Sequence, residues 1–152
     1  VNRISYLSMR ETIPCFGPSL KDLLCKELCR TMAHMPETII ARTYYFESAH
    51  RLPKLPQEHK CSNMHGHNYK MIVTMRGPLD ERGFVLDFAE LDAKVLPLVK
   101  QADHTVLNEV PGLENPTAEL IAAWFLDRIA GAASVRVYEN EDCWAEAGRG
   151  NA

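Results

Sequence analysis

Three histidines fall where they could share a metal ion. His65-Gly66-His67 stands at the start of an alternating segment, and His50 closes the segment before it. Residues two apart on a strand point to the same side, so His65 and His67 would present their imidazoles together. Gly66 lets the backbone between them bend or approach a neighbour closely. His50 can supply a third nitrogen if the two segments pair antiparallel through the 51–64 loop. Imidazoles grouped in this way suit a divalent ion of the zinc type. Three of them leave a fourth tetrahedral position open, which is the catalytic rather than the structural arrangement. An isolated His-x-His pair also occurs on solvated strand faces. The third histidine, with Cys61 four residues before His65, favours the metal reading.

Cys61 has three readings: a fourth ligand, a nucleophile or base, or an inert small apolar side chain. A Cys-His₃ site would be closed and structural. A thiol beside a metal pocket and next to Lys60 is instead placed for proton transfer. Asp103-His104 is a second candidate, because a carboxylate beside a histidine can orient the ring or raise its basicity; a solvated loop is the plainer reading. Glu139 is the third. It alternates onto the side of Val135 and Val137, where a carboxylate needs a partner. Two donors on a ligand would serve, and so would a buried arginine. His59 and His34 are assigned no role. Cys25 and Cys29, four apart, lack the second pair that a metal or redox motif would show.

The elements that must hold these residues can be read from the pattern. Thr38–Ala49 is rich in β-branched and aromatic residues and reads as a strand. Leu52–Asn63 is a polar, proline-containing loop. Along His67–Arg76, Tyr69, Met71, Val73 and Met75 alternate with Lys70, Ile72, Thr74 and Arg76, which predicts a half-buried strand. Gly77-Pro78 and Arg82-Gly83 mark a turn, with a short strand expected at Phe84–Leu86. Asp87 is a suitable N-cap for a helix carrying Phe88, Leu91, Val95 and Val99. Asn115-Pro116 suggests a second helix start, with Asn as cap and Leu120, Ile121, Trp124, Phe125 and Ile129 as the apolar face. Ser134–Glu139 reads as the last strand. The order predicts an α+β domain with helices on one face of an antiparallel sheet.

The chain has 152 residues, 46% hydrophobic and 24% charged, ordinary for one compact domain with a real core. A net charge of −3 argues against general nucleic-acid binding. No apolar run approaches the ~20 residues that cross a bilayer. Five cysteines without framework spacing suggest a reduced, cytoplasmic setting. Residues 1–37 differ from the rest. They hold Cys15, Cys25 and Cys29, and Leu20, Leu23, Leu24 and Leu28 predict an amphipathic helix over Ser19–Thr31. With Val1 at the start and Met9, Met32 and Met35 inside, they read as an extended gene start or a disordered extension. The working domain is then 38–147, with 148–152 as a tail.

Six islands in this order resemble the 6-pyruvoyl-tetrahydropterin synthase / 6-carboxy-tetrahydropterin synthase family. They are Phe46-Glu47-Ser48-Ala49-His50-Arg51-Leu52, His59 to Tyr69, Gly83 to Phe88, Asp103-His104 with Leu107-Asn108, Asn115-Pro116-Thr117-Ala118-Glu119, and Val137-Tyr138-Glu139. The resemblance implies the tunnelling fold, a four-stranded antiparallel sheet with two helices on one face. It also implies a homohexamer made of two trimers. It further implies zinc held by His50, His65 and His67, Cys61 as catalytic thiol, and Asp103 and His104 as acid–base partners. Glu139 would anchor the pterin, with Thr117 beside it in the substrate site. Asn140 departs from the family pattern, which usually has Thr there. The implied substrate is 7,8-dihydroneopterin triphosphate. His-Lys-Cys before His-Gly-His, and Asn-Pro-Thr-x-Glu, look more like the bacterial 6-carboxy enzyme of queuosine biosynthesis than the biopterin-pathway enzyme. A zinc- or pterin-binding member without turnover is the remaining possibility.

Overall fold

The computed structural model describes residues 37–150. The helix expected over Ser19–Thr31 and the Cys25–Cys29 pair lie outside the described residues. Two long strands form the frame, β1 (Thr38–His50) and β2 (His65–Gly77). They pair antiparallel without a break, from Thr38 opposite Gly77 to His50 opposite His65. The continuous register follows from the alternation in both strands, since a one-residue slip would turn every apolar side chain to the wrong face. Gly66 sits within this ladder opposite Ala49. A Cβ there would come 3.2 Å from the Ser48 carbonyl oxygen, so the close approach of the two strands favours glycine.

Helix α1 (Phe88–Ala102) follows, with the Asp87 carboxylate accepting from the Ala89 N–H as N-cap. After it come a two-residue strand β3 (Thr105–Val106), helix α2 (Ala118–Arg128), and strands β4 (Ala132–Tyr138) and β5 (Trp144–Gly148). The sheet order is β3-β1-β2-β4-β5. β1, β2, β4 and β5 are antiparallel neighbours, and β3 lies parallel to β1 along Ser48 and Ala49 only.

The sheet therefore has five strands and is mixed, where four antiparallel strands were expected. Phe84–Leu86 is no strand. The Asp80 carboxylate accepts from the Arg82 and Phe84 N–H groups and holds that segment as a tight loop, with Gly83 at φ 87°. The two added strands are short, and β5 carries a glycine, so neither has a long alternating signature. The second helix is capped by Thr117, whose hydroxyl accepts from the Leu120 N–H, and not by Asn115. Leu120 faces solvent rather than the core.

Tyr44 and Phe46 of β1, Tyr69, Met71, Val73 and Met75 of β2, and Val135 and Val137 of β4 share one sheet face. They pack into a single core with Leu91 and Val95 of α1 and Ile121 and Phe125 of α2. Among the described residues, no helix is long and apolar enough to cross a membrane.

Candidate metal centre and cavity

The core-facing rows of β1, β2 and β4 end in polar residues at one edge of the core. Continuing the two-residue period past Phe46, Tyr69 and Val137 brings His50, then His67 and His65, and then Glu139 to the same face. The three imidazoles meet there, with one ligand-capable nitrogen of each within 4.8 Å of the others. His50 is buried, and His65 and His67 are half-buried.

Two of the rings are fixed by a backbone carbonyl. His50 Nδ1 lies 2.8 Å from the Pro116 oxygen, and His65 Nδ1 lies 2.9 Å from the Asn63 oxygen. The backbone of Glu139 lies beside His67. A carbonyl only accepts, so each bonded nitrogen carries the hydrogen, and in a neutral ring the other nitrogen keeps its lone pair. His50 Nε2 and His65 Nε2 then face each other at 3.0 Å with lone pair toward lone pair. His67 Nε2 is buried with no partner. Burial holds His50 and His67 below the ordinary histidine value, favouring the neutral rings a metal requires. Three imidazoles with their ligand-capable nitrogens gathered together, two of them oriented at Nδ1 and the third with Nε2 buried and unpaired, fit a zinc-type ion.

Below this cluster Tyr69 forms a floor. Its ring stacks on Phe46 at 4.8 Å and meets His67 and His50 edge-on at 5.5 and 5.9 Å. Above it opens a cavity of about 460 Å³ lined by the three histidines, Lys60, Cys61, Glu139, Asn140 and Cys143. That volume is in the range of small-ligand sites. The Glu139 carboxylate stands 4.0 Å from His50 Nε2. Cys61 sits in a one-turn 3₁₀ helix, Lys60–Ser62, capped by His59, whose Nδ1 accepts from the Cys61 N–H at 3.1 Å. His59 thus fixes the thiol's loop, a role its place in a polar stretch did not signal. Thr117 lines an adjoining hollow with Glu139 and Cys143.

Asp103 and His104 lie elsewhere. They follow α1, beyond the β1 side of the sheet. His104 lines a second hollow of about 670 Å³ with Glu47 and Glu109, and of the metal-site histidines only His67 borders both hollows. Asp103 Oδ2 is 2.9 Å from His104 Nδ1. The Glu47 N–H bond and the His104 ring hold Asp103 below the usual carboxylate range, and Asp103 in turn raises His104. Within one chain, this pair does not share the cavity of Cys61.

The model of the 6-pyruvoyl tetrahydropterin synthase family matches residues 39–149. The chain belongs to this family. Over 114 residues, 72% of the chain and 95% of the relative, it is 40% identical to an Archaeoglobus fulgidus protein provisionally named 6-carboxy-5,6,7,8-tetrahydropterin synthase. A Synechocystis 6-carboxy-5,6,7,8-tetrahydropterin synthase is 40% identical over 112 residues, 66% of the chain and 85% of the relative. Among solved structures, Caenorhabditis elegans 6-pyruvoyl tetrahydropterin synthase superposes with a TM-score of 0.70 at 26% identity, covering 76% of the chain and 97% of that structure. Such neighbours share the tunnelling fold, including its two helices against a sheet. This family member therefore carries its three histidines, Cys61 and Glu139 around one cavity.

Proposed function

We propose that the chain is a zinc-dependent lyase converting 7,8-dihydroneopterin triphosphate to 6-carboxy-5,6,7,8-tetrahydropterin, with loss of acetaldehyde and triphosphate. The observation that carries this is the convergence of three imidazoles with Cys61 and Glu139 on one cavity. His50, His65 and His67 would hold zinc, which when bound supplies a Lewis acid at the substrate's side chain. The Glu139 carboxylate would accept two N–H donors of the pyrimidine edge, a bidentate match that fixes the ring. Cys61, across the cavity, would take a carbon-bound proton made acidic by the pterin ring.

Asp103 would orient His104 as a proton shuttle. Because the pair borders a different hollow from Cys61, we infer that it serves the Cys61 of a neighbouring copy in a homohexamer. Among the described residues β5 has no outer neighbour and β3 covers only Ser48 and Ala49 of β1, which would give such copies a place to join. Thr117 would touch the substrate only from the helix end it caps. Residues 38–147 would form this catalytic domain, acting in the cytoplasm in queuosine biosynthesis.

The 40% identities to proteins named for the 6-carboxy activity support that product over the pyruvoyl one. Incubation with 7,8-dihydroneopterin triphosphate, followed by chromatography of the pterin, tests the proposal. A 6-carboxy product is expected. A 6-pyruvoyl product would replace the reaction but keep the site, and unchanged substrate would refute turnover.

A further inference from the structure

His104 is a non-glycine residue at φ +53°, in the left-handed region that L side chains rarely adopt. Such outliers persist only where their surroundings hold them, and here the holding comes from one residue. The His104 N–H donates to the Glu47 carbonyl at 2.7 Å, and the Glu47 N–H donates to Asp103 Oδ1 at 2.9 Å. The side chain of Glu47 adds to this. Its Oε2 lies 4.0 Å from His104 Nε2, the nitrogen that Asp103 leaves free for proton exchange. The ring thus stands between two carboxylates, one on each nitrogen.

We propose that Glu47 is a positioning residue for His104, its backbone clamping the Asp103–His104 pair to β1 and its carboxylate setting the orientation and charge of the ring at Nε2. This rests on the reading of His104 as the proton shuttle. Asp103 at the end of α1 and Glu47 on β1 lie against the ring, while Glu109 after β3 and His67 on β2 line the same hollow. Two of the three carboxylates come within 4.0 Å, and both favour the imidazolium. A shuttle held this way favours the protonated ring and keeps Nε2 as the nitrogen open to exchange. Both side chains are largely exposed in the single chain, so the carboxylate's effect is that of a surface pair, while the backbone clamp is independent of it.

Glu47→Gln keeps the clamp and removes the charge, and Glu47→Asp keeps the charge on a shorter stem. The test follows the His104 ring by NMR titration of the full-length protein, and in parallel measures kcat and KM with 7,8-dihydroneopterin triphosphate. In Glu47→Gln the ring is expected to titrate at lower pH than in the wild type. The kcat should fall roughly two- to fivefold, the scale of an exposed ion pair. KM, zinc content and melting temperature should stay put, and Glu47→Asp should recover most of the loss. An unmoved ring titration overturns the proposal, as does a moved titration with unchanged kcat. Equal losses in both variants with a lowered melting temperature also overturn it, showing a structural role alone. If the wild type turns over no pterin, the functional reading fails, and the ring titration still decides whether Glu47 holds His104.

Discussion

Tyr69→Phe separates what the floor of the metal site does by shape from what it does by polarity. Tyr69 is fully buried, and its hydroxyl reaches no hydrogen-bond partner. Burial, with the negative charge of Glu139 added, pushes the phenol well above its ordinary value, so it stays neutral throughout the working range. A buried polar group without a partner costs about 1–3 kcal/mol. Phenylalanine removes that cost and keeps the ring that stacks on Phe46 and meets His50 and His67 edge-on. The void left by one oxygen returns a few tenths of that gain. The net expectation is a stabilisation of about 1 kcal/mol, or about 4 °C in melting temperature for a domain of this size. Thermal unfolding with chelator present reads it, and metal analysis of the loaded protein should show unchanged zinc. A loss of about 1 kcal/mol or more would refute the reasoning. It would mean that the hydroxyl has a partner, such as a buried water, and that the histidine cluster rests on a polar network.

Four further outcomes are expected. His65→Ala/His67→Ala should lose zinc, read by metal analysis after desalting; retained stoichiometric zinc would overturn the site. Cys61→Ala should keep zinc and fold yet lose turnover by roughly 10²-fold, the scale of a missing general base; loss of zinc would instead make Cys61 a ligand. Glu139→Gln replaces an acceptor by a donor, so calorimetry should show weaker binding of pterin analogues with zinc retained; unchanged affinity would assign the carboxylate another partner. The Asp103–His104 pair should be pH-dependent at both ends. His104 is raised, so its part is complete below the ordinary value of 6.5 and is lost as pH rises through its folded value. Asp103 is lowered, so its part is present above the ordinary 3.8 and is lost as pH falls through its folded value. Asp103→Asn should therefore move the alkaline limb of the kcat profile to lower pH, and an unmoved limb would remove His104 from the chemistry.

The long-period features are legible in the sequence. Alternation through Tyr69, Met71, Val73 and Met75 places β2, and the same alternation puts His65 and His67 on one face. Asp87 signals a helix cap because a carboxylate just before an apolar helical stripe can accept from the first unpaired N–H groups. The misreadings cluster where a local signal had two physical outlets. Asn115-Pro116 looks like a helix start, but the helix begins after Thr117, and the Pro116 carbonyl is used to orient His50. Gly83-Phe84-Val85-Leu86 has strand-like residues, yet the Asp80 side chain outcompetes a ladder by capping the loop. His59 leaves no signal because a ring that accepts one backbone N–H has no periodic trace. Nor can adjacency in sequence show that Asp103-His104 borders a different hollow from Cys61, since that depends on which side of β1 the end of α1 reaches.

The three ring positions and the three ring orientations have different origins. Register alone sets the positions: His50 faces His65 across β1 and β2, and Ser48 faces His67. Two of the orientations come from carbonyls on separate segments: Asn63 in the loop before β2 and Pro116 on the approach to α2. The β1–β2 hairpin by itself would bring the histidines together and, through Asn63, orient His65, but would leave His50 without its carbonyl. The carbonyl that orients His50 arrives with Pro116, on the segment leading into α2. The orientation of the set thus depends on tertiary packing, and metal affinity at these three histidines would depend on that packing as well as on the ligands themselves. Glu139 stands at the junction of the two parts of the proposed site, its carboxylate 4.0 Å from His50 Nε2 and lining the cavity where the pterin would lie.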